Sequence, residues 1–147
     1  MDDRTALYFA LFNEIGIIGQ LGRTLFEARL PEGLLTAHFS VINHLVRLGD
    51  GKTPLALARA FQVPKTTMTH MLSVLERHGF IRVARNPEDG RSKCVFLTDA
   101  GRAFRAEAIA RLAPDLAVMA KDIPPKTIEA LLPGLEEIRR YLDTHRP

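Results

Sequence analysis

Five side chains at one end of a short amphipathic stretch carry the most specific chemistry in the chain: Lys65, Thr66, Thr67, Thr69 and His70. An ammonium, three hydroxyls and an imidazole can all hydrogen-bond to base edges or phosphates, and no acid follows them before Glu76. Further on, Arg85, Asp89, Arg91 and Lys93 surround a turn signal, Asp89-Gly90. Cations on such a turn suit phosphates or a narrow minor groove. These residues offer recognition chemistry rather than bond-making chemistry. There is no GxSxG nucleophile turn, no P-loop and no strand-bracketed carboxylate pair, so the chain is not read as an enzyme.

Metal and redox chemistry find little support. His38, His44, His70, His78 and His145 include no i, i+4 pair, and none stands with Cys or acid at a metal-binding spacing. No metal and no cofactor are assigned. Cys94 is the only cysteine, so no intrachain disulfide can form. It reads as a half-buried strand residue rather than an activated thiol.

The elements that must position these groups lie between Thr53 and Thr98. Thr53-Pro54 is an N-cap followed by proline at the first helical position. Leu55, Leu57, Ala58 and Phe61 make a short apolar stripe. Gln62 and Val63 form a tight connection, and Pro64 fits the first turn of a second helix. There Met68, Met71, Leu72 and Leu75 recur at steps of three and four and mark the buried face. Gly79 ends that helix. The runs IRVARN and KCVFLT, separated by PEDGRS, predict a β-hairpin. Two helices, a tight turn and a hairpin with a basic tip make a winged helix-turn-helix. Its second helix is sized for a DNA major groove about 12 Å wide.

Charge follows the same division. Residues 52–102 hold nine Lys/Arg against four Asp/Glu, whereas residues 1–51 hold four against six and residues 103–147 seven of each. The net charge of +3 is therefore concentrated on the predicted winged helix, as a polyanion partner requires.

The flanking segments predict helices. Residues 5–29 are apolar on most sides, with Leu7, Leu11, Ile15, Ile18, Leu25 and Phe26 on one face and Tyr8, Phe9, Phe12, Ile17 and Leu21 around the rest. Gly16, Gly19 and Gly22 suit close helix–helix approach. Residues 30–34 form a linker. Thr36 is the expected cap of a helix burying Phe39, Val41, Ile42, Leu45, Val46 and Leu48, stopped by Gly49-Asp50-Gly51. Thr98 caps a long helix with the stripe Phe104, Ala108, Ile109, Leu112, Leu116 and Met119, and Pro114 is expected to kink it. Pro124-Pro125 precedes a last helix bearing Ile128, Leu131, Leu132, Leu135, Ile138 and Leu142, which Pro133-Gly134 is expected to divide. The end helices carry more apolar surface than one chain of 147 residues can bury, which predicts a homodimer. A two-fold protein of this kind reads a palindromic site. No run reaches the length of a membrane span and no secretory leader is present, so a cytoplasmic protein without membrane partners is expected.

The fold class is thus mainly α with a small β-hairpin wing: a single domain over 1–147, with dimerisation helices at 5–34 and 99–147 around a winged helix core at 35–98. This layout resembles the multiple-antibiotic-resistance regulator (MarR) family of bacterial transcription factors. The resemblance rests on Leu72, Leu75, Gly79, Phe80 and Ile81, on the wing-tip Asp89 and Arg91, and on the exit Leu97, Thr98 and Gly101. It implies a homodimeric, sequence-specific DNA-binding regulator, mostly a repressor in this family, that many members release from DNA with a small aromatic or phenolic effector. It places Lys65, Thr66, Thr67, Thr69 and His70 in the major groove, and Arg91 in or beside the minor groove with Asp89 orienting it. It also suggests an effector cleft near Phe12, Ile15, Gly16, His38, Phe39 and Ile42. The chain departs from the family in having Pro64, His70 and Gly90 where serine, arginine and a second basic residue are common. Two rival readings are an architectural DNA binder indifferent to sequence and a winged-helix protein–protein adaptor.

Overall fold

The computed structural model describes residues 1–147, in the order α1 (Asp3–Glu27), α2 (Thr36–Leu48), α3 (Pro54–Phe61), α4 (Lys65–Arg77), β1 (Ile81–Arg85), β2 (Lys93–Leu97), α5 (Asp99–Asp122) and α6 (Pro125–Thr144). Two compact units result, Met1–Ala110 and Arg111–Pro147.

The first unit is built around α4. Met68, Met71, Leu72, Val74 and Leu75 are its buried residues, and they meet Val41, Ile42 and Leu45 of α2, Leu57 and Ala58 of α3, and Ile81, Val95 and Leu97 of the hairpin. The first turns of α5 join the same core through Phe104 and Ala108. Gly101 permits this: a Cβ there would collide with the Phe80 carbonyl oxygen. Only glycine lets α5 begin so close to the start of the wing.

Local signals set most boundaries. Thr53 accepts the Ala56 N–H at 3.1 Å and opens α3, and Thr98 accepts the Gly101 N–H at 3.0 Å and opens α5. After α4, the Phe80 N–H reaches the Leu75 carbonyl (3.0 Å) and the Gly79 N–H the Glu76 carbonyl (2.9 Å), with Gly79 at φ +75°. This is a Schellman closure, and it sends the chain directly into β1. The strands pair antiparallel in the register Ile81↔Leu97, Val83↔Val95 and Arg85↔Lys93. Lys52 adds a bridge to Val95 on the other edge of β2.

Some sequence expectations are corrected. Thr36 is the first residue of α2 and not its cap. Leu35 is the N-cap, and its N–H donates to Nδ1 of His38 at 2.9 Å. Pro64 is the N-cap of α4 rather than a first-turn residue. Leu48 and Leu55 are exposed, because the core-facing rows of α2 and α3 run through Leu45 and through Leu57–Ala58. Asp89-Gly90 does not form a two-residue turn, and Gly90 has no positive φ. Residues 86–92 instead make a longer loop held by side chains, with Asn86 Nδ2 donating to Ser92 Oγ (2.9 Å) and the Arg91 N–H to Asp89 Oδ1 (3.0 Å).

α1 is capped by Asp2, whose carboxylate accepts the Thr5 N–H at 2.6 Å; that bond holds the Asp2 carboxyl below its ordinary value. No residue of α1 is buried. Only its end is anchored, by Phe26 edge-on to Phe39 at 4.6 Å and by Glu27 accepting the Thr36 N–H at 2.9 Å. Most of the rest of its apolar surface is open, as shown by Phe9 at 65% exposure, although Leu11 is half-buried.

In the second unit α6 runs unbroken through Pro133-Gly134, against the expected division. Proline removes one donor, and the Glu129 carbonyl it leaves unpaired sits on an exposed helix where water can replace that bond. α5 likewise continues through Pro114. Beyond Ala108 the α5 stripe is largely open: Ile109, Leu116 and Met119 are exposed, as are Leu131, Leu132, Leu135 and Leu142 of α6.

Candidate nucleic-acid interface

Burial on α4 defines its free face. The helical positions opposite the buried row are Thr66, Thr69, His70, Ser73 and Arg77, all exposed, with exposed Glu76 at the edge of this face beside Thr69. Of the predicted set, Thr66, Thr69 and His70 therefore share one face. Lys65 and Thr67 are exposed on opposite flanks of it. Ser73 and Arg77 are absent from the sequence-based set. The signal is present in the sequence, because Ser73 lies seven residues after Thr66 and Arg77 seven after His70, which is two helical turns.

The hairpin supplies cations beside this face. Arg85 and Lys93 are directly paired across the two strands, and both are exposed. Like charges facing each other cost stability unless an anion lies near them. Lys93 is therefore not at the wing tip. It lines a groove of about 250 Å³ with Pro54, Thr69, Leu72, Ser73, Glu76 and Val83, between α4 and the wing. Arg91 is at the tip, in the 86–92 loop, and exposed. Asp89 bonds to its backbone N–H, so any orienting of Arg91 by Asp89 acts through the main chain.

His38 and Ile42 of the suggested effector cleft are sealed in the first unit, at 6% and 0% exposure. Phe12, Ile15 and Gly16 lie on the open part of α1. Phe39 packs on Phe26, and Phe12 is fourteen residues earlier, about 21 Å along the helix axis. Within one chain these residues do not form a cleft, because only the C-terminal end of α1 reaches α2. His38 has a structural task instead: its neutral Nδ1 accepts the Leu35 N–H, and burial lowers its pKa, helped by His70 and His78 and opposed by Glu27. Cys94 is buried in β2 opposite Ala84. No group of His, Cys, Asp and Glu is arranged to hold a metal ion, and no helix is long and apolar enough to cross a membrane.

Comparison with known proteins points the same way. Residues 32–92 match the sequence model of the MarR family. The transcriptional activatory protein BadR of Rhodopseudomonas palustris is 30% identical over 104 residues, or 69% of this chain; the match spans 58% of BadR, under two thirds of its length. Among solved structures, the transcriptional regulator BldR from Sulfolobus solfataricus is 26% identical, with 96% of this chain and 99% of that one covered and a TM-score of 0.78. Wild-type MarR from E. coli in its apo form is 25% identical, with 87% of this chain and 96% of that one covered and a TM-score of 0.73. A mutant of that E. coli protein is also solved complexed with operator DNA.

Proposed function

We propose, from the match of residues 32–92 to the MarR family model, that the chain is a MarR-family DNA-binding transcriptional regulator acting as a homodimer. The observation that carries this reading is the polar outer face of α4, Thr66, Thr69, His70, Ser73 and Arg77, with Glu76 at its edge as its one acid and the Arg85–Lys93 cation pair beside it. Hydroxyl, imidazole and guanidinium groups on a helix suit base edges in a major groove. Wing cations suit the adjacent backbone, where Arg91 reaches furthest.

Dimerisation follows from surface that a lone chain leaves in water. α1 exposes Leu7, Tyr8, Phe9, Ile18 and Leu21, and α6 exposes Leu131, Leu132 and Leu142. Patches of this kind mark protein–protein contacts. Two copies related by a two-fold axis present two α4 helices to a palindromic operator, with half-sites about 34 Å apart. The protein then works in the cytoplasm and represses by occupying that operator. BadR is named for activation, which makes activation from the same operator the second reading. A small aromatic or phenolic effector shifts the balance only if it binds the DNA-competent and DNA-free states with different affinity.

The test is fluorescence anisotropy of a labelled duplex from upstream of the protein's own gene against a scrambled copy, at one fixed salt concentration. A preference of about 10³ or more for the upstream duplex supports a specific regulator. Equal affinity for both favours an architectural DNA binder, and binding to neither favours the adaptor.

A further inference from the structure

Away from the α4 face, one carboxylate ties three parts of the first unit together. Asp50 lies in the loop between α2 and α3. Its Oδ1 accepts the N–H of Leu97, the last residue of β2, at 2.8 Å. Its Oδ2 stands 3.5 Å from the guanidinium of Arg102, in the first turns of α5. The adjoining backbone holds the same strand, with the Gly51 N–H donating to the Val95 carbonyl (3.0 Å) and the Val95 N–H to the Lys52 carbonyl (2.8 Å). Those two bonds use main chain and tolerate many sequences. The link onward to α5 needs the charged side chain.

We propose that Asp50 is a positioning residue for DNA reading, a latch joining the root of the wing to the root of α5. This rests on the DNA-binding function proposed above. The wing is a two-stranded ribbon, the kind of sheet that twists most freely. From Leu97 to the loop at Ser92 is five residues, about 17 Å, so a small rotation at the root becomes a large displacement at Arg91. Through Asp50, the angle of the wing to α4 and the placement of α5 change together. The pair itself is half-exposed, with side chains 55% and 32% exposed, so it adds little to global stability. Its effect falls on geometry.

The sign of two substitutions tests this. Asp50→Asn keeps an oxygen for the Leu97 N–H and removes the charge, and Arg102→Gln removes the other half of the pair. Near a polyanion, charge alone makes the first tighten binding and the second weaken it. The latch requires both to weaken binding to the upstream duplex, by about two- to five-fold each. The double variant should be no weaker than the poorer single one, since both remove one interaction. Tighter or unchanged binding by Asp50→Asn, or additive losses, overturns the latch. Hydrogen exchange at the Leu97 amide gives a readout that needs no DNA: Asp50→Ala should speed it, and an unchanged rate also overturns the latch. Wild-type protein that binds no duplex contradicts the DNA-binding function and the role in DNA reading with it, and the Leu97 exchange rate then reports only whether Asp50 holds the root of the wing.

Discussion

Leu75 on α4 and Leu21 on α1 are the same residue in the same kind of element, yet they meet opposite surroundings. Leu75 is fully buried among α2, α3 and the hairpin, whereas Leu21 is 65% exposed. The glycines divide likewise. Gly101 is crowded by the Phe80 backbone, while a Cβ at Gly16, Gly19 or Gly22 meets nothing. The winged unit completes its core within one chain; α1 carries core-like residues and no core. Such a helix, with three glycines each costing about 1 kcal/mol relative to alanine, finds little packing within its own chain. A second copy supplies that packing in the function proposed.

The contrast can be tested from its strongest side downward. Leu75→Ala should cost about 2–5 kcal/mol of folding stability in a denaturant titration. A loss under about 1 kcal/mol would mean that the α4 core is less complete than described. Leu21→Glu should leave the winged unit folded and convert dimer to monomer in sedimentation analysis, at a cost of about 1.5–3 kcal/mol per subunit for the lost burial. An unchanged association state would remove α1 from the interface.

Gly19→Ala separates the two environments within one helix. In a lone chain it should raise helix stability by about 1 kcal/mol. If α1 packs closely on a partner, it should weaken the dimer instead, and sedimentation combined with thermal melting distinguishes these. On the recognition side, His70→Ala should change which operator base is preferred, by about 1–3 kcal/mol. Arg91→Ala should weaken all duplexes alike and lower the salt slope by about one. An Arg91 effect confined to one sequence would contradict its phosphate-facing role.

The smallest effect concerns pH. Neutral His38 accepts the Leu35 N–H, and its pKa is pushed below the ordinary 6.5, first by burial and then by His70 and His78, with Glu27 opposing. Because the folded value lies below the unfolded one, the stabilisation is complete above pH 6.5 and is lost as pH falls through the folded value. The melting temperature should therefore drop between about pH 7 and pH 5 more in wild type than in His38→Gln.

Much of this is legible in the sequence because it is local. Thr53-Pro54, Gly79 and Thr98 set boundaries through hydrogen bonds within a few residues, and the Met68–Leu75 rows follow from helical period. Less legible are features decided by distant neighbours. His38 takes the place expected of Thr36 because its buried ring accepts the Leu35 N–H, and Leu55 loses its place because α3 turns Leu57 inward. Pro133-Gly134 looks like a break, yet the open surface of α6 tolerates a missing donor. The outer face of α4 is found only in part, since its polar start is conspicuous while Ser73 and Arg77 lie up to two further turns along the helix.

The central claim joins the two regions: the open helices pair the chains, and the paired winged units read one DNA site together. The most direct test places two copies of the preferred half-site on one duplex about 10 base pairs apart, and then adds about five, which turns the second half-site to the opposite face of the DNA. A dimer with two fixed α4 helices should lose affinity by about a hundredfold or more, toward its non-specific level. Equal affinity for the two spacings would contradict the account, because each winged unit would then be reading DNA alone.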